Sequence, residues 1–253
     1  MLKIFLGALT LFLPAFSFQL DHRQTMELAE RIWQNEGSGK ASRLTHWNEK
    51  EDFASMGMGH FIWYPETTRH RPYGESFPKL LDFLQNQGIS LPKGLTPQTP
   101  CPWPDRESFY HDFDSPRMTA IRTLLSQTFE QQATFMLLRL QDALETMLTS
   151  LPETERPLIK ERYHAVAATP GGIYALMDYI NFKGEGTAKG ERYRGQGWGL
   201  LQVLQAMPEE DPGSLRSFVK AADFVLTRRV LLAPKEESQW LPGWRKRLHS
   251  YLP

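Results

Sequence analysis

The sequence predicts a mainly α chain of the α+β class, with a small β element near the N-terminus. Three observations carry that reading. Between Gln127 and Leu151, Phe129, Ala133, Met136, Leu137, Leu140, Leu144, Met147 and Leu148 recur at the 3.6-residue period of a helix. Residues Ser55 to Tyr64 place two glycines before a β-favouring aromatic run, the pattern of a small hairpin. The composition, 41% hydrophobic and 23% charged over 253 residues, is that of a globular chain long enough to bury a sizeable core.

The elements follow in chain order. Lys3, a largely apolar run from 4 to 18 and the small residues of Ala15-Phe16-Ser17 predict a secretory signal peptide over 1–17. That run is short for a bilayer span. The expected mature domain is therefore 18–253, periplasmic or secreted, with no membrane span after cleavage. Asp21 to Glu36 reads as a helix, with Asp21 as N-cap and Gly37 past its end. Met26, Ala29, Ile32, Trp33 and Glu36 share one face of it. Ser38 to Asp52 is polar and reads as loop or short strand. Residues 65–116 are rich in proline, with one short helix from Pro78 to Gln87, and are expected to be an insertion lying on the surface. Ser115-Pro116 has the form of a cap followed by proline at the first helical position. After the helix at 127–151, further helices are expected over 153–168, 173–182, 198–207, 214–232 and 244–251.

Charge and cysteine content narrow the function classes. Lys+Arg and Asp+Glu are equal at 29 each, so no basic face for a nucleic-acid backbone is evident. The single Cys101 excludes a disulfide scaffold and a cysteine-cluster metal site. No HExxH or Walker pattern is present, and neither a metal nor another cofactor is expected.

Glu36 is the most informative residue. It follows Ile32 by four positions and Trp33 by three, in the last turn of its helix. Helix carbonyls and partial burial both disfavour the anion there and raise the pKa, as a general acid near neutral pH requires. The bland alternative is a solvated Glu at a helix end. A second carboxylate is available in Trp47-Asn48-Glu49-Lys50-Glu51-Asp52, and a pair of carboxylates is what glycoside cleavage uses. Spacing alone does not choose between Glu49 and Asp52, and Glu185 is a rival. Ser55-Met56-Gly57-Met58-Gly59-His60 follows, where Gly57 and Gly59 permit a tight turn or close approach to a ligand. His60 reads as a ligand, a base or a hydrogen-bonded tie between strands. Trp47, Phe61, Trp63, Tyr64, Tyr193 and Trp198 are either sugar-stacking rings or core. Residues 182–195 carry Lys183, Lys189, Arg192 and Arg194 against Glu185 and Glu191, a basic loop suited to carboxylates, or simply solvated.

These segments resemble the phage-type lysozymes, a family of muramidases. The family pattern is Glu-Gly at a helix end, an acidic residue, then Thr-x-Gly-x-Gly-His. Here it reads Asn35-Glu36-Gly37, Glu49, and Ser55-Met56-Gly57-Met58-Gly59-His60, with a longer loop after Glu36. A second segment runs from Ala175 through Asn181 and Gly184-Glu185-Gly186 to Trp198-Gly199-Leu200-Leu201-Gln202. Gly243-Trp244-Arg245-Lys246-Arg247 is a weaker third echo. Together they cover about a third of the chain.

The resemblance implies a lysozyme-like fold, with a saccharide cleft between the β element and the helical lobe. It implies Glu36 as general acid, Glu49 as second carboxylate and Ser55 beside the attacking water or developing charge. Trp47, Asp52, Gly57, Gly59, His60, Trp63, Asn181, Gly184, Glu185 and Gln196 are the expected substrate contacts. The implied partner is peptidoglycan or a related β-1,4 amino-sugar polymer, acted on by a monomer through hydrolysis or lytic transglycosylation. Glu in place of Asp and Ser in place of Thr depart from the family pattern. Two alternatives therefore stay open: a non-catalytic cell-wall glycan-binding protein, and a glycosidase for chitin or chitosan.

Overall fold

The computed structural model describes residues 20–37, 39–71, 74–211 and 213–253, with the backbone alone for 35–37. The expected signal peptide over 1–17 lies outside the described residues. Among the described residues are ten helices and a small antiparallel sheet. No described helix is long and apolar enough to cross a membrane.

Helix α1 spans His22–Gly37. Asp21 caps it as expected: its carboxylate accepts from Gln24 N–H (2.8 Å), while the Gln24 side chain accepts from Asp21 N–H (2.9 Å). Leu28, Ala29, Ile32 and Trp33 form its buried face, whereas Met26, expected on that face, is 38% exposed. A 3-10 turn then leads into the sheet, made of β1 (Thr45–His46), β2 (Ala54–Met56) and β3 (Phe61–Trp63) in the order β1-β2-β3. Ser55 lies opposite His46 on one side and Ile62 on the other. The hairpin expected in this region is thus present, with β1 added as a third strand.

The proline-rich stretch corrects the sequence reading. Two parts of it are built into the core, while the described residues of 66–75 and 85–100 lie mostly at the surface as expected. Helices α2 (Phe77–Asn86) and α3 (Arg106–His111) bury Phe77, Leu80, Leu81, Leu84 and Phe109. Trp103 and Cys101 are buried with them. Its rings extend a chain of edge and tilted contacts out from the sheet: Trp63 to Phe77 (4.8 Å), Trp63 to Trp103 (6.1 Å), Trp103 to Phe109 (5.1 Å) and Phe109 to Trp47 (5.6 Å). Each such pair adds about 0.5–1.5 kcal/mol beyond its buried area. The prolines shape the connections, and the aromatic residues between them decide where the segment goes.

Helix α4 (Pro116–Gln127) starts where Ser115-Pro116 predicts, with Ser115 accepting from Met118 N–H. The long helix α5 (Phe129–Thr149) is the central strut and packs against α1, α2, α6 (Arg156–Ala167) and α7 (Gly172–Lys183). A break at Thr128 separates it from α4. Gln132, fully buried, fills that break and donates to Leu125 O (2.7 Å) and Thr128 Oγ1 (3.1 Å). A two-stranded hairpin, β4 (Arg192–Tyr193) and β5 (Gln196–Gly197), precedes α8 (Leu200–Ala206), α9 (Leu215–Leu232) and α10 (Leu241–His249).

Candidate functional site

Helix α7 draws the three singled-out segments together. Asn181, near its C-terminus, donates to Gly59 O (3.0 Å) and so ties the helical lobe to the glycine turn. That turn is held from a second side, because Met58 N–H donates to Gln132 Oε1 (2.9 Å). Gly57 has φ +72°, and a Cβ there would meet Gln132 Oε1 at 2.5 Å, so glycine is required twice over. Further along α7, buried Asp178 accepts both Arg247 Nε (2.8 Å) and Arg247 Nη2 (2.8 Å) from α10, together with Tyr251 OH (2.6 Å). This fork-to-carboxylate pair fixes the C-terminal helix on the lobe.

Between the sheet side and the C-terminal helices lies a cleft of about 660 Å³. One wall is the loop Asn48 to Phe53, which carries Glu49, Glu51 and Asp52. Arg229, Glu237, Trp240 and Trp244 form the other. Trp240 is 46% exposed, and Lys50 Nζ stands 5.2 Å from its ring centre across the opening. Arg229 and Glu237 pair at 2.8 Å, and Tyr193 OH donates to Glu237 (2.8 Å). Burial opposes the Glu237 anion, but the bonds from Arg229 and Tyr193 and nearby positive charge outweigh it, leaving the pKa lowered. Behind Trp244 sits Lys183, its Nζ 3.5 Å from that ring centre and 4.0 Å from Phe182. Burial, then Arg229 and Arg247, press its pKa well below the usual lysine range.

The three loop carboxylates are not equivalent. Glu49 and Asp52 are exposed. Glu51 is partly buried, and that burial raises its pKa, partly offset by a hydrogen bond from Asn48 Nδ2 (2.9 Å). Asn48 Oδ1 faces His46 Nε2 (2.8 Å), and His46 Nδ1 faces Tyr110 OH (3.0 Å). Burial lowers the His46 pKa, so its ring is neutral at pH 7. The tautomer that fits both contacts carries the proton on Nε2 and accepts from Tyr110. A hydrogen-bonded chain therefore runs Tyr110–His46–Asn48–Glu51 into the cleft. Sequence reasoning did not select Glu51. Its own partner, Asn48, is three positions away, but the far end of the chain joins His46 to Tyr110 across 64 positions, which no local pattern reports.

The other expected residues divide. The backbone of Glu36 lies in the last turn of α1, and its side chain lies outside the described residues. Ser55 is buried within the central strand. Trp47 and Trp63 are corrections: both are fully buried, with indole N–H groups donating to Glu51 O (2.7 Å) and Thr99 O (3.0 Å), so neither ring offers a face to a sugar. His60 adopts φ 49° in the glycine turn, with its ring stacked 6.3 Å from His46. Gly184 and Glu185 act through their carbonyls, which accept from Leu200 and Leu201 N–H (both 3.0 Å) and seat the start of α8. Gln196 is exposed and lines a different groove. Among the described residues, no three His, Cys, Asp or Glu side chains stand together as a metal site.

Comparison of the chain with protein-family models, curated proteins and solved structures returns no match.

Proposed function

We propose that this protein is a secreted, lysozyme-like glycosidase that cleaves the β-1,4 glycan of peptidoglycan, by hydrolysis or lytic transglycosylation. One observation carries the reading. An open cleft sets a wall of carboxylates, Glu49, Glu51 and Asp52, opposite exposed Trp240 and half-buried Trp244. Glycan chains present apolar C–H faces that stack on such rings, and glycoside cleavage needs a carboxyl acid and a second carboxylate.

In this reading protonated Glu36, at the end of α1, donates to the glycosidic oxygen. A carboxylate of the 48–52 loop then stabilises the oxocarbenium-like transition state or activates water. Glu51 fits that second role better than Glu49, which the resemblance implies. Its raised pKa makes it the stronger base, and Asn48 holds one oxygen in place. The bond from Asn181 to Gly59 O ties helix α7 to the glycine turn.

Zymography on purified peptidoglycan tests the proposal. The wild-type protein is expected to clear the gel, and Glu36→Gln to abolish clearing while melting as the wild type does. Full clearing by Glu36→Gln would remove the assigned acid. Retention of wild-type protein on peptidoglycan with no clearing would favour a binding protein instead. Preferential cleavage of chitin or chitosan would move the substrate.

A further inference from the structure

A second groove, of about 530 Å³, shares no lining residue with the cleft. The β4–β5 hairpin, α8 and α9 enclose it, and the end of α5 closes one side. Its lining includes two guanidinium groups, Arg192 and Arg228, and no Asp or Glu. Neither is ion-paired to a carboxylate among the described residues. Arg228 donates one Nη2 bond to Gly197 O (3.0 Å), and its Nε is buried with no hydrogen-bond partner among the described residues. Arg192 donates one bond to Gly186 O (3.2 Å). Glu191, its neighbour in sequence, accepts from Gly186 N–H (2.7 Å) and feels the Arg192 charge without forming an ion pair with it among the described residues. A guanidinium carries five N–H donors in a planar fork that matches a carboxylate, so most of the donor capacity here is undirected.

The remaining lining sets the chemistry of the ligand further. Leu151, Leu201, Ala206 and Phe224 supply an apolar surface, and Phe224 is 58% exposed. Gln196, exposed at the hairpin, adds a neutral amide suited to a peptide bond. The volume falls within the usual range for small-ligand sites, about 300–1,000 Å³. Two cations, a small apolar surface and the amides of Gln196, Gln202 and Gln205 suit a carboxylate flanked by short aliphatic side chains.

We infer that this groove binds the free carboxylate end of a short peptide with small apolar side chains, held by Arg192 and Arg228. The ligand class comes from the groove itself. That the source is a stem peptide of the cell wall rests on the glycosidase reading above.

Calorimetric titration of the full chain tests this with four probes: N-acetyl-L-alanyl-D-alanine, its C-terminal amide, the all-L dipeptide and inorganic phosphate. The D-ended acid is expected to bind, and the amide to bind at least about tenfold more weakly, because a neutral end loses the charge-assisted bonds. Arg192→Gln and Arg228→Gln are each expected to weaken the acid by at least about tenfold. Arg192 is exposed, so its variant keeps the test valid if Arg228→Gln disturbs the hairpin. Equal binding of acid and amide, unchanged binding in Arg192→Gln, or phosphate binding that the peptide does not displace would each overturn the inference. Equal binding of the two dipeptides would keep the peptide-end site and remove the wall as its source. Peptide binding by a protein that cleaves no glycan would sink the glycosidase reading alone.

Discussion

Replacing Gln132 with methionine tests how the glycine turn is held. The substitution keeps the length of the side chain and removes its amide. Met58 N–H, now accepted by Gln132 Oε1 at 2.9 Å, is left buried without an acceptor. That costs about 1–3 kcal/mol. Two donated bonds, to Leu125 O at 2.7 Å and Thr128 Oγ1 at 3.1 Å, are lost as well. They contribute about 0.5–1.5 kcal/mol each. The thioether recovers part of the total by burying apolar surface, about 1–2 kcal/mol. The net is about 1–4 kcal/mol. For a domain of this size each kcal/mol lowers Tm by about 2–4 °C, so the expected fall is about 2–16 °C. Scanning calorimetry on both proteins measures it. Gly57→Ala places its Cβ against the same Gln132 oxygen, so combining the two substitutions should give non-additive losses. A fall under about 2 °C for Gln132→Met, or strict additivity of the pair, would refute the account of the turn.

Arg247→Ala leaves the Asp178 carboxylate buried with only Tyr251 OH as its described partner, and should lower stability by about 3–5 kcal/mol in urea titration. A loss below about 1 kcal/mol would show that the pair is not what fixes α10. Glu51 gives a pH dependence of definite sign. Its folded pKa lies above the reference of 4.5, so the folded state holds the proton longer than the unfolded chain. Stability therefore falls as pH rises through 4.5 towards the folded value. Glu51→Gln should be the more stable protein at neutral pH, with the gap closing near pH 3.5, where both states of the wild type are protonated; an equal gap at both pH values would contradict this. Cys101 is buried, and that burial pushes its thiol up to about 12. Ellman's reagent at pH 8 should therefore label it only after denaturant is added. Rapid labelling of the native protein would place the thiol at the surface.

Local physics made much of the helical frame legible. Asp21 with Gln24 and Ser115 with Pro116 are start signals that act within one turn, and the structure uses both. The apolar period of α5 survives because one long helix must face several neighbours at once. The segment 65–116 was less legible because proline reports on connections and not on burial: Trp103 and Phe109 decide where it sits. β1 has two residues and α3 six, too few for any period. Trp47 and Trp63 show the limit for the site, since an aromatic residue in a binding segment reads the same whether it faces a ligand or the core. Gln132 did leave a signal. It lies three positions after Phe129 and four before Met136, a polar residue within a buried stripe. The chain from Tyr110 to Glu51 was only half legible: His46, Asn48 and Glu51 are near neighbours in sequence, whereas Tyr110 joins them only once α3 packs against the sheet.

The most direct measurement is mass spectrometry of soluble fragments from purified peptidoglycan incubated with the full chain, its Glu36→Gln variant and its Glu51→Gln variant. The account predicts disaccharide-peptides with new reducing or 1,6-anhydro ends from the wild type, none from Glu36→Gln and a strongly reduced yield from Glu51→Gln. Intact glycan after wild-type incubation, or the same fragments from all three proteins, would contradict it.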